Sequence, residues 1–175
     1  MEYAVFAGGC FWCTEAVFLK LKGVIEVKSG FTGGHIKNPA YKEVVTERTG
    51  HAEAIHITFD PTVISYFKLL EIFFATHDPT TLNRQGADKG THYRSAIFYT
   101  SDLQKKNSLE FIDLLNNENV FENDIVTEVK AFTVFYSAED YHTNYYNLNN
   151  EQPYCKYVIE PKIKKLVNYF SENLK

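Results

Sequence analysis

The sequence predicts an α/β (α+β) protein, a two-layer sandwich with helices packed on a mixed sheet and an irregular C-terminal segment. Three observations carry that prediction. Segments with strand-like alternation and segments with helical apolar spacing follow one another along most of the chain, which is the pattern of a sheet joined by crossover helices. The strands mix polar with apolar residues, so a doubly wound sheet buried on both faces is disfavoured. No Gly-x-Gly-x-x-Gly motif follows the first strand, which removes the expectation of a dinucleotide cofactor.

A chain of 175 residues, with no repeat, low-complexity tract or Gly/Ser/Pro-rich linker, is expected to form a single domain over residues 1–175. Hydrophobic residues at 45% and aromatics at 15% are enough for a core that needs no disulfide staples. A net charge of -4 with scattered lysines offers no basic stripe, so no nucleic-acid partner is expected. The run from Ala4 to Trp12 is too short to cross a bilayer and the first lysine is Lys20, so neither membrane insertion nor export is expected. Three cysteines leave at least one thiol free, which favours a reducing compartment and places the protein in the cytoplasm.

In chain order, Tyr3 to Ala7 reads as a strand. Gly8-Gly9-Cys10-Phe11-Trp12-Cys13 follows, and Thr14 to Lys22 reads as a helix closed by Gly23 as its C-cap. Val24 to Phe31 is a strand, Thr32 to Pro39 a loop, and Tyr41 to Arg48 a short helical segment. His51 to Phe59 alternates as a strand. His51, Glu53, Ile55, Ile57 and Phe59 lie on one face, and Ala52, Ala54, His56 and Thr58 on the other. After the Asp60-Pro61 turn, the stripe Phe67, Leu70, Phe73, Phe74 predicts a helix over Tyr66–Ala75. His77 to Arg94 is polar and glycine-bearing, too long for a simple connection, and long structured loops often carry function. Ser95 to Tyr99 is a strand, and Ser101 with Gln104 opens a helix towards Asn117. Val126 to Tyr136 holds one or two further strands, Tyr141 to Pro153 shows no core face, and Pro161 opens a last helix to Leu174.

The chemistry concentrates at Cys10. A cysteine at a helix N-terminus meets unpaired N–H groups and the positive end of the helix dipole, which favour the nucleophilic thiolate. The alternative is a small buried hydrophobe, the commoner fate of an unpaired cysteine. Glu53 shares a face with three large apolar residues. It is either an exposed strand-end residue or a desolvated acid that keeps its proton near neutrality. Asp88 and Tyr93, in the long loop, are either surface residues or pocket lining. Cys10-Phe11-Trp12-Cys13 has the spacing of a dithiol redox site.

Gly-Gly-Cys-Phe-Trp near the N-terminus, Gly50-His51-Ala52-Glu53, the block His77 to Ser95, Ala138-Glu139-Asp140-Tyr141-His142 and Tyr154-Cys155 resemble the A-type peptide methionine sulfoxide reductases. The likeness runs in register from about Ala4 to Lys162. The resemblance implies a two-layer sandwich around a ferredoxin-like plait and reduction of the S epimer of methionine sulfoxide, free or in proteins, without metal or organic cofactor. It implies that Cys10 is the nucleophile, that Phe11 and Trp12 receive the substrate methyl group, and that Glu53 is the acid beside polar neighbours Tyr41, Asp88 and Tyr93. Cys155 falls where many members carry a resolving cysteine. Phe11 and Trp12 could instead face the core, as most large aromatics do.

The chain departs from the family at Cys13, where most members carry a small residue, commonly glycine. Cys13 either resolves the sulfenic acid, with exchange onto Cys155 to follow, or packs with Val17 and Leu21. The expected partners are methionine sulfoxide and a dithiol reductant such as thioredoxin, and the expected working unit is a monomer. Two other readings stay open: a general thioredoxin-like dithiol-disulfide oxidoreductase, and a zinc site built on the three cysteines, which lacks paired ligand spacing. The roles of Tyr141, His142 and Tyr145 are undecided between lining and packing.

Overall fold

The computed structural model describes residues 1–175. Its sheet-forming elements are β1 (Glu2–Ala7), β2 (Val24–Thr32), β3 (Ala52–Phe59), the short hairpin β4 (Arg84–Gln85) and β5 (Asp88–Lys89), β6 (Ala96–Tyr99), β7 (Glu128–Ala131) and β8 (Phe135–Ser137). The helices are α1 (Phe11–Phe18), α2 (Tyr41–Val44), α3 (Tyr66–Ala75), α4 (Asp102–Asn117), α5 (Tyr145–Leu148) and α6 (Glu160–Phe170). A π-helical turn, Cys155–Ile159, leads into α6.

The six-stranded sheet has the order β7-β6-β1-β3-β2-β8. All neighbours are antiparallel except β6 and β7, so the sheet is mixed as expected. The unit β1-α1-β2 leaves a gap that β3 fills, and β3-α3-β6 leaves one that β1 fills. These are two interlocked split βαβ units. The interlocking puts β1 and β3 at the centre, side by side. It therefore brings the end of β1, which carries Cys10, beside the start of β3, which carries Glu53.

The alternation read in β3 holds. Ile55, Ile57 and Phe59 enter a helix-side core of 28 buried residues, whereas Ala52 and Ala54 join a cluster of six on the opposite face. Burial is thus concentrated on the helix side, as two-layer packing requires. Phe6 and Phe73 stack at 4.7 Å in that core and tie α3 to the sheet.

Several boundaries differ from the sequence reading. Helix α1 starts at Phe11, not Thr14, because Gly9 (φ 92°) completes the turn early and Cys10 takes the extended N-cap conformation. It ends at Phe18, so Gly23 caps no helix and makes the turn into β2 instead. Helix α2 stops at Val44, four residues short of Arg48. The long loop contains the β4/β5 hairpin and a 3-10 turn, Thr91–Tyr93. The segment without apolar periodicity contains α5 and the 3-10 turn Asp140–His142, and α6 ends at Phe170.

That segment is held by side-chain bonds, which is why periodicity does not reveal it. The Glu139 carboxylate accepts from the Tyr41 N–H at 3.2 Å, and the buried Glu15 carboxylate accepts from the Tyr145 N–H at 3.2 Å. Each bond ties the segment to an element that borders Cys10.

Candidate active site

Strand β1 runs into two glycines, and both are needed for close approach. A Cβ on Gly8 would lie 2.9 Å from the Phe73 ring, and one on Gly9 would lie 2.6 Å from Gln85 Cγ. The turn can therefore sit between α3 and the hairpin only without side chains. Cys10 follows as the N-cap of α1, 7% exposed, as the position at a helix start predicted.

Its ionisation departs from expectation. The Trp12 N–H does favour the thiolate, but burial, the hydrogen bond to Cys13 and the nearby Glu53 together push the Cys10 thiol well above its ordinary value. Helix-terminus effects are worth up to about 2 kcal/mol, whereas full burial can shift a group by roughly 3–5 pH units. Burial wins, and resting Cys10 is a thiol. Cys13, 4% exposed, moves the other way: its hydrogen bond to Cys10 lowers it, with help from Lys162 and Tyr154, against the opposing effect of burial.

Glu53 is 1% exposed. Burial raises its carboxyl to about 8, against the opposing hydrogen bond from Phe11, so the acid form predominates at neutrality. Its Oε1 accepts the Phe11 N–H at 3.2 Å, and its Oε2 is buried with no partner. No protein group therefore takes the proton of the neutral acid.

Tyr41 and Tyr93 stand together beside Glu53. Burial and then the Glu53 charge push Tyr41 up to about 12 and raise Tyr93 as well, so both phenols remain donors. Asp88 stands slightly apart: its Oδ2 accepts the Tyr154 O–H at 2.6 Å, and Tyr154 Oη lies 3.6 Å from Cys13 Sγ.

The aromatic pair divides. Phe11 is fully enclosed by Phe31, Tyr41 and His142. Trp12 is half-buried, stacked on Tyr145 at 3.7 Å and donating its indole N–H to His142 Nδ1 at 3.0 Å. His142 and Tyr145 thus line the site, whereas Tyr141 is 63% exposed, its ring tilted against that of His142 at 4.1 Å. Cys155 is buried in the π-helical turn against α1. Burial, and then the neighbouring Cys13, raises its thiol. All three cysteines are free thiols.

A hollow of about 510 Å³ borders this site without including Cys10; Thr76, His77, Gln85 and Lys162 are among its lining residues. Sequence reasoning quoted Tyr154 only as part of a motif and missed Lys162 as a neighbour of the thiols and Gln85 as a neighbour of Gly9. The one available signal was Tyr154's position beside Cys155.

Two adjoining thiols at a helix start, faced by a neutral carboxylic acid and two phenols, are the chemistry of a thiol-based reductase. The family model described as peptide methionine sulfoxide reductase matches residues 2–174, and the chain belongs to that family. A relative from Saccharolobus solfataricus, "Peptide methionine sulfoxide reductase MsrA", is 53% identical over 175 residues, covering 100% of this chain and 98% of its own length. The structure is similar to that of Mxr1 from Saccharomyces cerevisiae in reduced form, with a TM-score of 0.82, 33% identity and 88% of each chain covered. It is also similar to Mxr1 in complex with Trx2, with a TM-score of 0.59, 25% identity, and 82% of this chain and 84% of that one covered.

Proposed function

We propose that this site reduces methionine S-sulfoxide, free or in proteins, to methionine, with Cys10 as nucleophile and Glu53 as acid. The observation that carries the reading is the unpartnered Oε2 of a neutral, buried Glu53 beside the Cys10 thiol. Oxide is a very poor leaving group unless protonated, so a sulfoxide oxygen placed against Glu53, Tyr41 and Tyr93 meets the donors its departure from sulfur requires. Trp12 offers the apolar seat for the methyl group, with Phe11 behind it.

The Cys10 sulfur attacks the sulfoxide sulfur and the S–O bond of the substrate breaks. Methionine leaves, and the oxygen remains on Cys10 as a sulfenic acid that in net terms carries the thiol's hydrogen. Cys13 then forms a disulfide with Cys10 and releases water. Exchange with Cys155 moves the disulfide and frees Cys10, and a dithiol of thioredoxin type restores the remaining pair. The yeast relative's complex with Trx2 supports that last partner.

We place the working enzyme in a reducing compartment, the cytoplasm, on the strength of its three free thiols. No helix is long and apolar enough to cross a membrane. We take the working unit to be a monomer acting as one catalytic domain over residues 1–175.

The test is conversion of each methionine sulfoxide epimer with dithiothreitol as reductant, beside an insulin-reduction assay. Conversion of the S epimer without rapid insulin reduction is expected, because the proton donors around Glu53 suit a sulfoxide oxygen, which a disulfide lacks. Insulin reduction without conversion would replace this reading with the general dithiol oxidoreductase.

A further inference from the structure

We propose that Tyr154, held by Asp88, is the proton acceptor for Cys13 when that thiol closes the disulfide with oxidised Cys10. The inference rests on the reading above, in which Cys13 resolves the sulfenic acid.

A thiol that attacks a sulfenic sulfur must lose its hydrogen, and buried Cys13 has little water to give it to. Apart from Cys10, the polar side-chain atom within hydrogen-bonding range of Cys13 Sγ is Tyr154 Oη, at 3.6 Å. Tyr154 has a single O–H, and at 2.6 Å from Asp88 Oδ2 that hydrogen is committed to the carboxylate. Its lone pairs are left for the Cys13 S–H. Edge packing of the Tyr154 ring on Trp12, with centroids 5.9 Å apart, keeps the phenol in this place.

Proton transfer then runs in one line. The S–H hydrogen moves to Oη as the phenol hydrogen moves to Asp88 Oδ2, so Cys13 becomes a thiolate and Asp88 a neutral acid. Tyr154 ends as it began and never exists as a free phenolate. This matters because burial, then Cys10 and Cys13, raises its own ionisation far out of reach.

The thiolate attacks the Cys10 sulfur, the S–S bond forms, and the S–O bond breaks. Glu53 gives the leaving hydroxyl its proton and is refilled from solvent, while Asp88 surrenders the proton it took. The sum is one thiol plus one sulfenic acid giving a disulfide and water. Lys162, whose Nζ donates to the Thr76 carbonyl at 2.9 Å, adds a positive charge that favours the Cys13 thiolate. Cys10, Glu53, Asp88, Lys162 and Cys155 are the titratable groups that face this pair from the surrounding elements.

The experiment uses the full chain carrying Cys155→Ser, so that Cys13 alone can resolve. One equivalent of methionine S-sulfoxide is mixed without reductant, and samples are quenched with a thiol-alkylating agent and a carbon nucleophile that traps sulfenic acid. Mass spectrometry then measures the Cys10–Cys13 disulfide and the trapped Cys10 over time. Adding Tyr154→Phe should slow disulfide closure by about a hundredfold, within the usual span for a lost general base, and sulfenic acid should accumulate. Its closure rate should rise with pH more steeply than the parent's, because only spontaneously formed thiolate reacts.

Asp88→Asn keeps a carbonyl acceptor for the phenol but cannot take its proton, and should show the same slowing and the same steep pH profile. Disturbed packing alone would lower the rate without changing that slope. Closure at the parent's rate in Tyr154→Phe, or slowing with an unchanged slope in both variants, would overturn the relay. A parent that releases methionine but forms no Cys10–Cys13 disulfide would overturn it by removing Cys13's resolving role. Absence of methionine release in the parent would instead remove the sulfoxide reading beneath it.

Discussion

Glu53→Gln should slow the first, methionine-releasing turnover by about 10²–10⁴-fold, the range for a positioned general acid, while making the fold more stable at neutral pH. Both effects come from the same buried proton. In the wild type the carboxyl is raised to about 8, so it is protonated below that pH and can pass its hydrogen to the sulfoxide oxygen. Glutamine keeps the size and can still accept the Phe11 N–H, but its amide hydrogens are not acidic. The break that Glu53 puts in the wild-type single-turnover pH profile at about 8 should accordingly be missing from the variant.

The stability effect has a definite sign. Between the ordinary carboxyl value of 4.5 and the folded value of about 8, the folded chain holds a proton that the unfolded chain has lost. Stability therefore falls with rising pH across that window, and fully above it the wild type carries the whole cost of a buried charge. Glutamine does not titrate. The variant's gain in Tm over the wild type should grow from pH 5 to pH 8, to the order of a few kcal/mol in free energy. Stopped-flow single-turnover kinetics and thermal unfolding at the two pH values check the pair. A variant that releases methionine at the wild-type rate would remove the acid role from Glu53.

Cys10→Ser should abolish methionine formation with either epimer and any reductant, yet leave a folded chain. A thiol sulfur can both attack a sulfoxide and keep its oxygen as a sulfenic acid; a serine hydroxyl can do neither under these conditions. The fold should tolerate the change for a local reason. Cys10 is the N-cap of α1 but makes no side-chain cap bond, and serine is among the best residues for that position. The expected result is unchanged or slightly raised stability in urea with no measurable turnover. Residual turnover well above that of dithiothreitol alone would show that another thiol can start the reaction.

The parts of this site that lie close together in the chain were legible in the sequence, and the parts joined across it were not. The strand, two glycines and following helix placed Cys10 at a helix start. Alternation in β3 put Glu53 on the apolar face, but alternation reports which way a side chain points and not how deep it lies. Its 1% exposure depends on α1 closing over the end of β3.

A helix terminus can be read from sequence, whereas the burial that pushes the Cys10 thiol up comes from packing that spacing does not report. Tyr154 and Cys13 meet across 141 positions, and no spacing rule reaches that far. The segment carrying His142 and Tyr145 looked featureless because it is fixed by bonds to Trp12, Tyr41 and Glu15, instead of by an apolar stripe of its own.

The central claim is that Cys10 takes the oxygen from the substrate. Its most direct test is a chain carrying Cys13→Ser and Cys155→Ser, given one equivalent of methionine S-sulfoxide labelled with heavy oxygen and no reductant, then trapped and mapped by mass spectrometry. One equivalent of methionine, with the labelled oxygen on the Cys10 peptide, is the result expected. Methionine released while Cys10 remains an unmodified thiol, or labelled oxygen found only elsewhere, would contradict it.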